Sequence, residues 1–392
     1  MNIAVDLTQI PADKTGIGIY ALNLVREMCR LNLTFHKFHF FFFIQDDDQE
    51  FINLLKDTEN CTLILVNSTT YRKMIPRFYF EQVLLPRHCR KRKIDLIFST
   101  HYTIPFLTRI KRVAVFHDMT FYLFPEMHQR IKRLYFKTLI PMSANRCSGI
   151  ITVSESTKKD MLNRFTHLNA EKITVIHHGV DILPQDSPRT KKHHNGAGNI
   201  LRKHRLKEGE YFLFVGTLEP RKNITGIIKA FHHLNKAQEN VSKKNKLVIV
   251  GKKGWFYKEI FESVKKHHLE DAVIFTGYVS EEEKRTLLKN AFLFLYPSFY
   301  EGFGIPVLEA MACGVPVITG NVSALPEVAG DAALLVPPRH WQEISTSMLK
   351  LLSDKHLYEK LSQKGLEQAA KFSWEKTAEK TMELFEKISL SS

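Results

Sequence analysis

Short apolar runs alternate with amphipathic stretches along most of the chain. Asn2–Leu7, Phe38–Ile44, Cys61–Val66, Ile94–Ser99, Arg112–Asp118 and Lys172–His177 each read as a buried strand. Gly149–Glu155 reads as another, running into a helix through Ser154, a residue suited to capping it. A second series comprises Tyr211–Gly216, Lys246–Val250, Val273–Tyr278, Ala291–Tyr296 and Val315–Thr319. Between the strands, apolar positions recur at helical spacing. Tyr20–Leu31 places Leu22, Val25, Met28 and Cys29 on one side, and Tyr79–Arg92, Ile224–Leu234 and His340–Ser389 are further helices, the last broken near Lys371 to Ser373. This alternation predicts an α/β protein with parallel sheets.

The pattern lapses from Ile182 to Gly209, a polar stretch containing Pro184, Pro188, Lys191 to His194 and Asn195-Gly-Ala-Gly198, which is linker composition. Two domains of ordinary size follow: 1–182, then a linker at 183–209, a second domain at 210–372 and a terminal helix at 373–392.

The second series is organised around Tyr296-Pro-Ser-Phe-Tyr-Glu-Gly-Phe-Gly-Ile-Pro-Val-Leu-Glu-Ala-Met-Ala-Cys-Gly314. An apolar strand runs into a loop whose glycines Gly302 and Gly304 permit backbone conformations closed to other residues. Pro306 suits the first turn of the next helix and Gly314 its end. Ligands of parallel α/β sheets sit beyond the carboxyl ends of the strands, where this loop lies. Glu301 and Glu309, eight residues apart, can then face one crevice. Upstream, Thr217-Leu-Glu-Pro-Arg-Lys-Asn223 places Arg221 and Lys222 just before a helix N-terminus, where backbone amides, helix dipole and two cations suit a diphosphate.

The spacing Glu-Gly-Phe-Gly-x4-Glu, embedded in Ser298 to Val317, resembles the Glu-x7-Glu signature of glycosyltransferase family 4, and Glu219-Pro-Arg-Lys-Asn223 matches the family pattern residue by residue. The resemblance covers nearly the whole chain and is strongest from Tyr211 to Val336. It implies the GT-B fold: two Rossmann-like domains facing each other across a cleft, the first holding acceptor and the second a nucleotide-sugar, with the C-terminal helix crossing back to the first domain near Trp374. It also implies transfer with retention of configuration. By the same resemblance Arg221 and Lys222 stabilise the departing diphosphate, while His117, Glu301 and the amides of Gly302, Phe303, Gly304 and Ile305 hold the sugar. Glu309 takes the ribose hydroxyls, and backbone groups at Val279 hold the base. The Gly16 and Gly18 loop after the first strand is expected to approach the ligand, and Asp118 either orients His117 or contacts sugar. Thr217 departs from some relatives that carry Arg there, so one phosphate contact is expected to be either weaker or replaced by a hydroxyl.

Charge and composition narrow this picture. The net charge of +15 divides into +11 over residues 51–150, +9 over 151–250, −3 over the first fifty and −2 from 251 onward. Arg87-His-Cys-Arg-Lys-Arg-Lys93 is the densest cluster, with Arg72, Lys73 and Arg77 nearby, a patch that attracts polyanions. With the family resemblance it fits a polyprenyl-diphosphate-linked saccharide acceptor and peripheral contact with anionic membrane. No nucleic-acid recognition motif or aromatic–basic interleaving accompanies it. Five cysteines without CxxC pairing fit a reduced cytoplasmic protein, and no positively charged leader precedes the first strand, so no signal peptide is expected. The apolar run Phe38–Ile44 is far short of the ~20 residues of a membrane span. Asp46-Asp47-Asp48 invites a metal but has no companion ligands, and two cations can take a metal's charge role, so neither metal nor cofactor is expected.

The activity expected is therefore transfer of a hexose, best matched by mannose from GDP-mannose, to a glycan or lipid-linked saccharide in surface-polysaccharide assembly. A UDP-sugar donor and a non-catalytic nucleotide-sugar-binding module of the same fold are the alternatives. A GT-B phosphorylase would carry pyridoxal phosphate, for which no motif is present.

Overall fold

The computed structural model describes residues 1–12, 14, 16–127, 130–181, 197–237 and 245–390. The chain divides into two compact units, Met1–Gly179 with Ser373–Ser392, and Val180–Phe372. Residues 183–196 of the expected linker lie outside the described residues. The rest of it is not extended: a helix occupies 197–203 before the next strand.

The first unit holds seven parallel strands: β1 (Asn2–Asp6), β2 (His39–Gln45), β3 (Cys61–Val66), β4 (Leu96–Ser99), β5 (Lys111–Phe116), β6 (Gly149–Thr152) and β7 (Ile173–Val175). Their order is β3-β2-β1-β4-β5-β6-β7, with Ile3 paired to Phe40 on one side and to Leu96 on the other. The second unit holds β8 (Tyr211–Val215), β9 (Lys246–Val250), β10 (Val273–Gly277), β11 (Leu293–Tyr296), β12 (Val317–Gly320) and β13 (Ala333–Val336). Their order is β10-β9-β8-β11-β12-β13, again all parallel. The central strands are apolar without alternation and fully buried, as a sheet covered by helices on both faces requires. In each sheet the order reverses beside the first strand, between β1 and β4 and between β8 and β11, and such switch points open a crevice at the strands' carboxyl ends.

Several elements differ from their expected extents for local reasons. The first helix starts at Ile17 and runs to Phe35, ending in a left-handed residue, His36. The basic helix begins earlier, at Met74, and passes through a widened turn at Phe80–Leu84 before Leu85–Lys91. Pro86 has no N–H for the ordinary ladder, and the wider turn absorbs the defect. Arg77, grouped by sequence with the surface cations, is instead buried and paired with Asp6 at 2.9 Å. The Asp46 to Asp48 run is committed to structure: Asp46 accepts from the Ser68 amide at 2.9 Å, Asp47 pairs with Arg72, and Asp48 caps the helix Gln49–Leu55 and pairs with Lys14. Ser154 accepts from the Thr157 amide at 3.0 Å, which starts the helix Glu155–Arg164.

The last helix, Trp374–Leu390, belongs to the first unit and packs along Ile17–Phe35. Gly179 lies against its start so closely that a Cβ there would stand 2.1 Å from the Trp374 nitrogen. Among the described residues no helix is long and apolar enough to cross a membrane.

Candidate active site

The loop after β8 and the loop after β11 meet because their strands are neighbours. Gly251 makes the first loop's path accessible: its φ is 147°, and a Cβ there would stand 1.9 Å from the Gly216 carbonyl oxygen. The chain passes Thr217, which is half-buried, and makes a single tight turn at Pro220–Lys222. Asn223, in the left-handed conformation, donates from Nδ2 to the Pro297 carbonyl at 3.1 Å, and the Phe299 amide donates to the Arg221 carbonyl at 2.8 Å. These bonds stitch the two loops together.

Glu301 stands at the centre of that junction. Arg221 Nη1 donates to its Oε2 at 2.8 Å and Lys222 Nζ to its Oε1 at 2.7 Å. Lys222 also donates to the Tyr296 hydroxyl at 2.6 Å. Arg221 reaches the Tyr300 carbonyl at 2.6 Å and, through Nε and Nη2, Glu219 Oε1 at 3.0 and 2.7 Å. Burial works to raise the Glu301 pKa, but Arg221 and Lys222 outweigh it and hold the carboxyl at about 2. Burial and the Arg221 charge push Lys222 down, and Glu301 and Glu219 offset part of this. Two cations and two carboxylates thus balance in a nearly dry site. Spacing alone presented Arg221 and Lys222 as cations ahead of a helix; Glu219 and Tyr296 complete the cluster and were not singled out from sequence.

Gly304, with φ 130°, forms the N-cap of the helix Ile305–Ala312, and Ile305 and Pro306 open its first turn. Gly302 and Phe303 are buried, the Phe303 ring lying edge-on to Phe372 with centroids 5.8 Å apart. Glu309, further along this helix, pairs through Oε1 with Lys284 Nζ at 2.7 Å, and Lys284 also meets Glu281 at 2.8 Å. Val279 is buried two residues beyond β10, followed by Ser280, which caps the helix Glu281–Lys289. Lys284 escaped the sequence reading, although Glu281 three residues before it is a pairing signal.

In the first unit Gly16 has φ 47° and caps the helix Ile17–Phe35, with open space where a Cβ would stand. Gly18 has Lys14 against it, 3.1 Å from a notional Cβ. His117 follows β5 and is buried, with Nε2 2.9 Å from the Thr100 carbonyl. That carbonyl, rather than Asp118, orients the ring. Asp118 turns to Thr120, accepting from its amide at 2.9 Å and its hydroxyl at 2.7 Å. Burial lowers the His117 pKa to about 4, so the imidazole is neutral near pH 7 with its Nε2 proton on Thr100 and an unprotonated Nδ1. Tyr20 packs edge-on to it at 4.9 Å, and His178 and Trp374 complete an aromatic group around Tyr20.

Comparison with known proteins places this arrangement among others. Residues 14–182 match the model of Glycosyltransferase Family 4, and residues 198–368 that of Glycosyl transferases group 1. O-antigen chain mannosyltransferase B of Escherichia coli is 32% identical over 384 residues, covering 95% of this chain and 96% of the relative. O-antigen chain mannosyltransferase RfbU of Salmonella typhimurium is 34% identical over 250 residues, 63% of each chain. Among solved structures, Anabaena HepE in complex with UDP and glucose superposes with a TM-score of 0.74 at 16% identity, over 98% of this chain and 99% of that one. The fold is that of the GT-B glycosyltransferases.

Proposed function

The chain belongs to the family 4 glycosyltransferases, and from that premise we propose that it transfers mannose from GDP-mannose to a lipid-linked saccharide in surface-polysaccharide assembly. The observation that carries the transfer chemistry is the Arg221–Glu301–Lys222 cluster at the switch point of the second sheet. The mannose donor is supported by the relatives' names and the near full-length match to the first of them.

In this reading the nucleotide is anchored by Glu309 and by backbone groups at Val279. Glycosyl transfer leaves a diphosphate carrying growing negative charge, which Arg221 and Lys222 meet with fixed positive charge. Lys222 uses two of its three N–H donors on Tyr296 and Glu301, and the third has no partner among the described residues. The sugar is positioned by Glu301 and by the amides of Gly302 to Ile305, and His117 is read as a sugar contact of the first unit. The Gly16–Gly18 loop and Asp118 are read as ligand contacts of the first unit, and Thr217 offers a hydroxyl to phosphate. No metal is required. The transfer retains configuration, as the family implies.

The acceptor reading extends to a partner. Helix Met74–Tyr79 exposes Ile75, Phe78 and Tyr79, and helix Arg130–Arg146 exposes Ile131 and Leu134, with Phe78 and Tyr135 joining the two at 6.4 Å. Arg72, Lys73 and Arg130 are exposed on or beside these helices, and Arg87, Arg90, Lys91 and Lys93 are exposed on and just after the helix Leu85–Lys91. Exposed apolar side chains on a unit that also exposes these cations fit an anionic lipid surface, entered to headgroup depth without spanning.

Thermal stabilisation by GDP, UDP, ADP and their sugar conjugates, with and without magnesium, tests the donor. A ligand at 100 times its Kd adds about 2.7 kcal/mol. A shift with GDP and GDP-mannose that ignores magnesium is expected. A shift with UDP or ADP alone removes mannose, and no shift with any of them removes nucleotide-sugar transfer.

A further inference from the structure

The two glutamates of the motif are held differently. Both oxygens of Glu301 accept from cations, Oε1 from Lys222 and Oε2 from Arg221. Glu309 has one oxygen engaged, Oε1 with Lys284, and Oε2 takes no hydrogen bond among the described residues. We propose that Lys284 is a positioning residue for the donor's ribose: its ammonium holds Glu309 Oε1 and leaves Oε2 to accept a ribose hydroxyl. This rests on the reading of Glu309 as the nucleotide anchor.

Helix Glu281–Lys289 packs on helix Ile305–Ala312, so Lys284 approaches Glu309 from a neighbouring element. The Lys284 side chain is 13% exposed and that of Glu309 19%, whereas Glu281, the other partner of Lys284, is 66% exposed. The Lys284–Glu309 contact is therefore the inner one, and Glu281 holds the ammonium from the solvent side.

The charges around Glu309 make Lys284 necessary. Burial raises the Glu309 pKa overall; Lys284 opposes that rise, while Glu281 on the neighbouring helix and Asp181 from the segment before residue 182 add to it. Cys313, on the turn that ends its own helix, is a further titratable neighbour, with a thiol raised by burial and by Glu309 to about 11. Arg285 and Lys289 act on that thiol, while Lys284 is the cation bonded to the Glu309 carboxylate. Burial works to lower Lys284, but Glu309 and Glu281 outweigh it and its pKa is raised, so the ammonium persists through neutral pH. Without that ammonium, burial and like charge both favour protonated Glu309. A protonated carboxyl has lost part of the acceptor capacity that a ribose diol uses.

The test is calorimetric titration of the full chain with GDP and with 2′-deoxy-GDP from pH 5.5 to 8.5, for the parent, Lys284→Met, Lys284→Arg and Glu309→Ala. The parent is expected to bind GDP about tenfold tighter than its deoxy analogue at pH 8. Lys284→Met is expected to lose about tenfold in GDP affinity at pH 8 and more as pH falls, while the preference over 2′-deoxy-GDP shrinks. Lys284→Arg should stay within about threefold of the parent. If Lys284→Met keeps the parent's pH profile and the parent's discrimination, the proposal is wrong. Equal loss for both ligands at every pH also overturns it, because that is a structural effect. If Glu309→Ala leaves both affinities unchanged, the anchor reading fails and takes this inference with it. If Glu309→Ala abolishes the discrimination while Lys284→Met does not, only the inference falls. Should Lys284→Met fold poorly, Lys284→Met with Glu309→Gln replaces the pair by neutral groups and is expected to bind both nucleotides alike; retained discrimination would overturn the proposal.

Discussion

Lys222 and Glu301, 79 residues apart in sequence, lie 2.7 Å apart as a nearly buried ion pair that Arg221 shares. Removing one member of a buried pair leaves the others uncompensated, at a cost of about 3–5 kcal/mol. Glu301→Ala is therefore expected to lower the melting temperature by several degrees, and Glu301→Gln, which keeps one acceptor, by less. Differential scanning calorimetry distinguishes the two. Equal melting temperatures for parent and Glu301→Ala would contradict the pairing.

Lys222 is buried and has one N–H without a partner among the described residues, and its task in the proposed reaction is to meet the departing diphosphate. Loss of one such preorganised donor elsewhere costs about 10² to 10³ in turnover. Lys222→Met is expected to lower kcat by that order in a donor-hydrolysis or transfer assay, with a much smaller change in KM for the donor. A change confined to KM would move Lys222 from the reacting diphosphate to ground-state binding.

Glu309→Ala is expected to weaken nucleoside diphosphate binding by about tenfold or more. Glu301→Ala should cut turnover while nucleotide affinity changes far less. Parallel titrations and initial rates separate the two, and the reverse pattern would exchange the roles of the two glutamates.

Histidines with lowered pKa give the first unit a pH dependence of definite sign. Burial lowers His101 to about 3 and His117 to about 4, and His178 well below its ordinary value. Each pKa is depressed below an unfolded value near 6.5, so the unfolded chain binds more protons between those limits. Stability is then full above pH 6.5 and falls as pH drops toward 4, by about 1.4 kcal/mol per pH unit for each such group. Denaturant titrations at pH 7, 6 and 5 should show this slope, and His101→Phe should reduce it by about one proton.

Membrane contact is tested by sedimentation with vesicles of phosphatidylglycerol and phosphatidylethanolamine. Replacing Ile75, Phe78, Ile131 and Leu134 together by Ser is expected to reduce binding at least tenfold. Raising salt to 0.5 M should reduce parent binding as well, because the cations of the patch are screened. Binding unaffected by both changes would assign the exposed apolar groups to another partner.

Much of the architecture was legible in the chain, because buried parallel strands are continuous apolar runs and their loops carry glycine and proline at fixed places. Nearly every strand from β1 to β12 appeared within a few residues of its observed limits, and the motif from Tyr296 to Gly314 identified the loop and helix that present Glu301 and Glu309. Local sequence determined these features because strand periodicity, helix caps and tight turns depend on neighbours a few positions away. Pairings depended on which strands became neighbours. The order β10-β9-β8-β11 brings the loop of Glu219 to Asn223 against Pro297 to Glu301, and so balances Arg221 and Lys222 with two carboxylates rather than leaving them as solvated cations. Packing of one helix on the next gave Glu309 its Lys284, and the close approach of the loop after β4 gave His117 the Thr100 carbonyl in place of Asp118. Arg77 looked like a member of a surface patch, but its helix turns it inward to Asp6 at the end of β1. Charge and reactivity at these positions are properties of burial and of partners distant in sequence, and those exist only once the sheets are assembled.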